Sequence, residues 1–166
     1  MTTREMIRAA MGIALIAISA QITVTLGPIP FTLQLFSLSL LGHILNTKEL
    51  TFMILVYIIL GLFGLPIFAN LGSGLSMLSK PSFGFLLGFI PFTLLIKKHK
   101  ITALICLYSL GATYLVYVMK FIYMTDHGIP FLISQYILMF VPTDLLSIFL
   151  SNRIAKRIPK ASLPTT

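Results

Sequence analysis

The sequence is short of charge and of cysteine, and each shortage excludes a class of protein. Charged residues occupy 10% of the 166 positions, whereas ordinary soluble domains carry about 25%. Together with a 57% share of hydrophobic residues, this composition predicts an integral membrane protein. The single cysteine, Cys106, lies inside an apolar run, so neither a disulfide framework nor a Cys-based metal site can form within one chain. We expect Cys106 to be a packing residue.

Motifs of catalysis and of metal binding are missing as well. The sequence contains no HExxH, no GxSxG, no P-loop lysine in a Gly-rich frame, and no cluster of His, Asp and Glu at metal-ligand spacing. We therefore expect no enzymatic activity, no metal and no cofactor. The histidines stand alone near predicted helix ends, where an interfacial or loop role is expected: His43, His99 and His127.

Apolar segments dominate what is present. A charge-free apolar segment of about 18 residues or more can cross the hydrocarbon layer as a helix, and several segments here reach or approach that length. The first follows Arg4 and Arg8 as a signal peptide would, but no small-residue cleavage site follows it, so we expect it to be retained. The pattern predicts an all-α integral membrane protein, one domain over residues 1–166, with six transmembrane helices: Ala9–Leu26, Phe31–Leu45, Leu50–Leu65, Phe83–Ile96, Ile101–Met119 and Ile129–Leu150.

The basic residues indicate how these segments are oriented. The second, third and fourth segments are short, so length alone leaves open whether they cross, re-enter or lie buried in the bundle. If all six cross, Lys80 and Lys120 lie on one side and the other ten of the 12 basic residues lie on the opposite side: Arg4, Arg8, Lys48, Lys97, Lys98, Lys100, Arg153, Lys156, Arg157 and Lys160. This distribution predicts cytoplasmic termini and explains the net charge of +8 without nucleic acid.

The outer side would then carry three loops: Gly27–Pro30, Pro66–Ser82 and Met124–Gly128. The longest, Pro66–Ser82, is rich in Gly and Ser yet contains six large apolar residues, which argue against disorder. We interpret it as a lid. In the first loop, Pro28 and Pro30 restrict the backbone, so the first helix should end there and a tight crossing should lead into the second.

Two polar residues inside apolar segments are candidate ligand contacts. Asp144, in "MFVPTDLLSIFL", would cost about 2.5 kcal/mol or more as a bare carboxylate in a membrane and so indicates a substrate or ion site. The alternative is a helix cap, because Pro142 blocks the helix there. Gln34 offers amide donors and acceptors to a polar ligand, or is an ordinary first-turn residue of a helix capped by Thr32.

The first segment also carries a stripe of small residues. Ala10, Ala14 and Ala17 fall at positions i, i+4 and i+7, so they lie along one helix face that another helix can approach closely. The spacing leaves open whether that helix belongs to this chain or to a partner.

Five stretches resemble one known family, the BioY substrate-binding subunits of energy-coupling-factor (ECF) transporters, which capture biotin. The resemblance covers most of the chain and is carried by "PIPFTLQLF" (Pro28–Phe36), "YIILGLFGLPIFA" (Tyr57–Ala69), "GLSML" (Gly74–Leu78), "PSFGFLLGF" (Pro81–Phe89) and "VPTDLL" (Val141–Leu146). Ala10 and Ala14 also resemble the Ala-xxx-Ala motif by which such subunits dock on the transmembrane coupling protein.

The resemblance implies a function and a set of partners. It implies a six-helix S component in the cell membrane that binds biotin from the outer side and topples to release it inside. The partners would be a transmembrane coupling subunit and two ATPase subunits, which would hydrolyse the ATP. The docking residues would be Ala10, Ala14 and Ala17, and the substrate-binding residues would be Gln34, Asn70, Lys80, Phe83, Gly84, Phe85, Asp144 and Ser147.

The chain departs from the family pattern near the expected ligand. The family usually has Gly-Pro-Thr-Gly-Gly-Tyr where this chain has residues 80–85, Lys-Pro-Ser-Phe-Gly-Phe, and a lysine where this chain has Ser147. Lys80 could supply the cation for the substrate's carboxylate, or be a solvated loop residue. A related carboxylated ring compound such as lipoate is the alternative substrate. A stand-alone secondary transporter, for which no internal repeat is evident, and a membrane scaffold protein are the alternatives outside this class.

Overall fold

A computed structural model describes residues 2–25, 29–125, 128–134, 138 and 140–157 of the chain. It is mostly helical, with one short two-stranded sheet. In chain order the described elements are α1 Thr3–Gln21, β1 Thr23–Thr25, β2 Pro30–Thr32, α2 Gln34–Ile44, α3 Thr47–Leu62, α4 Phe83–Leu95, α5 Lys100–Tyr117, α6 Ile129–Ile133 and α7 Val141–Ala155. Helices α2 to α5 lie where the second to fifth apolar segments predict them, within three residues at each end.

Helices α1 and α3 begin at reciprocal side-chain caps. Thr2 and Glu5 form a capping box at α1, and Asn46 and Glu49 form one at α3, so each pair satisfies backbone N–H groups of the first turn. Glu49 is buried and also accepts a hydrogen bond from the Arg8 guanidinium at 2.5 Å. The ion pair joins the N-terminal turns of α1 and α3 at one end of the bundle.

The predicted crossing after the first helix is a β-hairpin. Strands β1 and β2 pair antiparallel, with Thr23 opposite Thr32 and Thr25 opposite Pro30, and residues 26–28 lie outside the described part. The predicted first segment, Ala9–Leu26, is therefore wrong at its end, because the helix stops at Gln21. The β-branched residues that follow favour an extended strand once a partner strand is available.

Two described helices fall in the last predicted segment, Ile129–Leu150. The structure describes α6 over Ile129–Ile133 and α7 over Val141–Ala155, so α7 continues past Leu150 into a polar last turn. Residues 135–137 and 139 between them lie outside the described part. Elsewhere α5 continues through a π-helical turn, and the resulting Lys100–Ile122 is the one described helix long and apolar enough to cross a membrane.

Small residues allow the closest helix contacts. A Cβ added at Gly88 of α4 would lie 2.9 Å from the Leu107 carbonyl oxygen of α5, so the two backbones touch at this point. Helices α2 and α7 are joined by a buried hydrogen bond of 2.7 Å between the Ser39 and Ser151 hydroxyls. These contacts set the positions of the helices that surround the candidate site.

Isolated residues behave largely as predicted. His43, in the last turn of α2, and His99, just before α5, are both exposed, while His127 lies outside the described residues. Cys106 is a free, partly buried residue on α5. Many large apolar side chains remain exposed, for example Met11 at 68% and Ile101 at 73% of their surface, as expected where lipid is the solvent.

Candidate functional site

A largely apolar cavity lies where the hairpin, α2, α4, α7 and the Pro66–Ser82 loop meet. Its volume is about 80 Å³. Aromatic and aliphatic side chains form most of its wall, and a carboxylate and an amide provide polar contacts. The lining residues are Ile29, Pro30, Thr32, Gln34, Leu35, Phe68, Ala69, Met77, Ser82, Phe85, Leu86, Phe89, Leu107, Phe140 and Asp144.

Asp144 places its carboxylate in this wall from the first turn of α7. Its Oδ2 accepts a hydrogen bond from the hydroxyl of Tyr108 on α5. The helix begins after Phe140, which within the described residues has no side-chain cap hydrogen bond. The bond to Tyr108 therefore holds the carboxylate at the cavity, and the capping alternative has no described contact in its favour.

Gln34 belongs to a hydrogen-bonded chain that connects α2 to the loop. Its side-chain oxygen accepts from Thr32 Oγ1 at 2.9 Å, and its Nε2 donates to the Tyr57 hydroxyl at 2.9 Å. Tyr57 in turn donates to the carbonyl oxygen of Ile67 at 2.8 Å. Thr32 Oγ1 also accepts from the backbone N–H of Gln34 at 3.3 Å. Gln34 thus combines a first-turn position with a buried amide at the cavity.

Ring contacts fix the aromatic wall. Phe68 is fully buried and meets Tyr57 edge to face, with ring centroids 5.4 Å apart. Phe85 meets Tyr108 edge to face at 6.3 Å, so the ring that supports Asp144 is itself supported. A flat, apolar portion of a ligand would contact Phe68 and Phe85, whose rings are held in place by their tyrosine neighbours.

The Pro66–Ser82 loop covers the cavity with inward-facing apolar side chains. Phe68 and Met77 are buried, whereas Leu71 and Leu75 on the outer side are 64% and 70% exposed. Two short 3₁₀ turns, Ala69–Leu71 and Leu75–Ser79, give the loop its structure. The loop is therefore ordered, as its apolar content predicts.

Side chains from α1 and α5 hold this loop. Gln21 at the end of α1 donates to the Phe68 carbonyl oxygen and accepts from the Leu71 N–H, both at 3.0 Å. On the other side, the Tyr114 hydroxyl of α5 donates to the Leu78 carbonyl oxygen at 2.5 Å. Both anchors thus bind backbone atoms of the loop.

A second pocket opens outside the first. Its volume is about 410 Å³, and it shares Pro30, Ala69, Met77 and Ser82 with the inner cavity. Asn70 and Lys80 line this outer pocket. Asn70 adopts a left-handed backbone conformation with φ 56°, and its Oδ1 accepts from Thr23 Oγ1 at 2.9 Å.

The structure brings together only some of the residues that the sequence singled out. Gln34, Phe85 and Asp144 line the inner cavity, and Asn70 and Lys80 line the outer pocket. Tyr108 was not singled out, because a tyrosine within an apolar helix gives no indication in the sequence of the carboxylate it contacts.

Three predicted binding residues lie beside the described cavity wall. The ring of Phe83 packs against Tyr114, with centroids 5.9 Å apart. Gly84 faces the same tyrosine, since an added Cβ would lie 2.3 Å from Tyr114 Cβ. Ser147 is partly buried one turn after Asp144. Within the described chain, Phe83 and Gly84 therefore have a packing role that brings α4 close to α5.

The alanine stripe lies mostly on the outside of α1. Ala10 and Ala14 are exposed, whereas Ala17 is partly buried and packs against the core. The buried face of the same helix carries Ala9 and Ile16. Two of the three alanines are thus available to another molecule.

Comparison with known proteins gives concordant results. The family model described as the BioY family matches residues 1–163. The "Biotin transporter BioY" of Thermotoga maritima is 35% identical over 95% of this chain and 96% of its own length. The "Probable biotin transporter BioY" of Pyrococcus horikoshii is 31% identical over 95% and 98%, respectively. A crystal structure of the S-component for biotin from an ECF-type ABC transporter has the same fold, with a TM-score of 0.74 and 24% identity over 95% of this chain and 94% of that one.

Proposed function

This chain belongs to the BioY family, and we propose that it is the biotin-binding subunit of an ATP-driven uptake transporter. The observation that carries the proposal is Asp144, a carboxylate at the wall of an apolar cavity and held there by Tyr108. Relatives that match nearly the whole chain are named as biotin transporters, and none of those names describes an enzyme.

The chemistry of biotin suits this cavity. Its ureido ring offers two N–H donors and a carbonyl acceptor, and its fused rings are otherwise apolar. Asp144 would accept from the ureido N–H groups, and a hydrogen bond to an ionised acceptor in a dry site is stronger than one between neutral groups. The amide of Gln34 lies in the same wall, and Phe68 and Phe85 would contact the ring faces.

Cavity size supports a ligand that extends into both pockets. Sites for small molecules usually measure about 300–1,000 Å³, more than the inner cavity of about 80 Å³ offers. The outer pocket of about 410 Å³ continues from it and is lined by Lys80. We infer that the ureido head occupies the inner cavity and that the carboxylate tail points toward Lys80 and Asn70.

The remaining predicted site residues would act indirectly. Phe83 and Gly84 would place α4 against Tyr114, and Ser147 would leave space one turn below Asp144 where the family usually has a lysine. The Pro66–Ser82 loop would act as the lid, because its buried Phe68 and Met77 line the inner cavity.

The orientation in the membrane forms part of the same proposal. We infer six transmembrane segments, a location in the cell membrane, cytoplasmic termini and an outward-facing cavity, because ten of the 12 basic residues then face the cytoplasm. The chain would work with a transmembrane coupling subunit and two ATPase subunits. Ala10 and Ala14, exposed on α1, would form the docking surface, with Ala17 at its edge.

Direct binding to the purified protein tests the substrate. Protein produced in biotin-depleted cells and kept in detergent is titrated calorimetrically with biotin and, separately, with lipoate. We expect saturable binding of one biotin per chain and much weaker binding of lipoate, which lacks the ureido group. Tighter binding of lipoate would assign the site to that compound, and no binding of either would refute an S component for this class of substrate.

A further inference from the structure

A cleft at the other end of α2, separate from the inner cavity and the outer pocket, is lined by basic rather than mostly apolar residues. His43 lies nine positions after Gln34, which corresponds to about 13.5 Å along the helix. The cleft has a volume of about 300 Å³ and lies between the end of α2 and the turn that joins α4 to α5. Its lining residues are Ser39, Gly42, His43, Ile96, Lys97 and Lys100.

The positive charge of this cleft is not balanced by any carboxylate that the structure describes. Lys100 Nζ donates to the neutral side-chain oxygen of Asn152 on α7. The carboxylates described elsewhere have other partners, since Glu5 accepts from the Thr2 N–H, Glu49 from Arg8 and Asp144 from Tyr108. Lys97 and Lys100 thus present two ammonium groups to the same space without an acidic neighbour in its described lining.

The surface next to the cleft is apolar. Ile101, directly after Lys100, is 73% exposed, and Ile105 one turn further along α5 is 59% exposed. Leu94, one turn before Lys97, is 52% exposed. A ligand that fits both features carries an anionic group for the lysines and a hydrocarbon chain for the apolar helix surface.

We propose that this cleft binds the phosphate group of an anionic phospholipid. Basic pockets between membrane helices are suited to anionic headgroups, and each nearby lysine strengthens the attraction. Asn152 would keep Lys100 directed toward the phosphate, and Lys97 would reach it from the α4–α5 turn. Inorganic phosphate shares the charge but lacks the chain, so the exposed Ile101 and Leu94 favour the lipid.

Native mass spectrometry of the detergent-solubilised protein tests the proposal. The probes are dioleoyl phosphatidylglycerol and, as the uncharged-headgroup control, dioleoyl phosphatidylcholine. The test variant is Lys97→Gln/Lys100→Gln, and the matched control is Lys48→Gln/Lys98→Gln, which has the same net charge but changes exposed lysines outside the described lining. We expect about thirtyfold weaker phosphatidylglycerol binding in the test variant and a change of less than about threefold in the control.

A single variant separates binding from folding. Lys97→Gln leaves the Lys100–Asn152 contact intact, so its melting temperature should equal that of the unmodified protein while phosphatidylglycerol binding falls about fivefold. Equal losses in the two double variants, or equal binding of the two lipids, would overturn the proposal. Displacement of phosphatidylglycerol by inorganic phosphate at the same low concentration would overturn the lipid assignment in favour of a soluble anion.

This inference does not depend on the substrate. Asp144→Asn changes the inner cavity only and should bind phosphatidylglycerol as the unmodified protein does. Failure of biotin binding in the unmodified protein would refute the proposed function and leave the lipid result unaffected.

Discussion

The two ends of α2 and α7 use polar residues in opposite ways. At the cavity end, Gln34 and Asp144 bond to the neutral hydroxyls of Tyr57 and Tyr108 within an apolar wall. At the other end, Lys97 from the α4–α5 turn and Lys100 from the start of α5 line a cleft beside α2. The cavity end favours a ligand with directed N–H and C=O groups. The cleft favours a ligand with a negative charge, and its affinity for that ligand should fall as salt is added.

Of the variants proposed here, Asp144→Asn should cause the largest loss of biotin affinity. The substitution keeps the shape of the side chain but removes its charge and one acceptor, so we expect biotin affinity to fall about ten- to hundredfold, or roughly 1.5–3 kcal/mol. Calorimetric titration of the purified variant gives the affinity. Its melting temperature should change little, because asparagine keeps the shape of the side chain and an oxygen that can accept from the Tyr108 hydroxyl.

The matched control is Glu5→Gln, which removes one carboxylate charge at the start of α1, outside the described cavity wall. We expect its biotin affinity to equal that of the unmodified protein. An Asp144→Asn protein that folds normally and binds biotin with unchanged affinity would remove Asp144 from the site.

The contrast between the two ends was partly predictable from sequence. Asp144 could be identified because placing a carboxylate within a membrane segment costs free energy. The lysines could be identified because they cluster between apolar segments. The hairpin was not predicted, since strands of three residues are too short to give a period-2 pattern. Phe83 and Gly84 fall in the stretch where the family resemblance implies binding residues, but whether they line the cavity depends on how α4 packs against α5.

Tyr108 is the main residue of the cavity end that the sequence did not reveal. It is one of six tyrosines, and only the tertiary fold brings α5 beside the first turn of α7. A pairing between residues 36 positions apart leaves no local pattern in a single sequence.

Tyr108→Phe should also weaken biotin binding, but by less than Asp144→Asn does. The variant keeps the ring that meets Phe85 and removes only the hydroxyl, so Asp144 loses the partner that orients it. We expect about fivefold weaker biotin binding, measured by calorimetry. Tyr117→Phe on the same helix, where the side chain is 53% exposed, is the matched control and should have no effect.

A double variant distinguishes positioning from general packing. If Tyr108 acts through Asp144, adding Tyr108→Phe to Asp144→Asn should weaken biotin binding no further. Independent, additive losses in the double variant would contradict the positioning role and indicate that Tyr108 only supports the fold.

Bulky substitutions on the outer face of α1 should have the smallest effect on biotin affinity. They should nevertheless reduce transport strongly. Ala10 and Ala14 are exposed on that face, which lies away from the buried Ala9 and Ile16. A leucine at Ala14 meets solvent or lipid in the isolated subunit but would prevent close approach of a partner helix. Ala14→Leu should thus bind biotin with unchanged affinity and lose most uptake in cells that carry the coupling subunits.

Leu15→Phe is the matched control, because it adds bulk about 100° around the same helix, where Leu15 is 39% exposed. Its uptake should stay near that of the unmodified protein, since its side chain points away from the alanine face. Ala14→Leu that transports biotin at the normal rate would show that the alanine face is not the docking surface. Equal loss of uptake in both variants would show that any added bulk on α1 disturbs coupling, and the alanines would then have no special part in it.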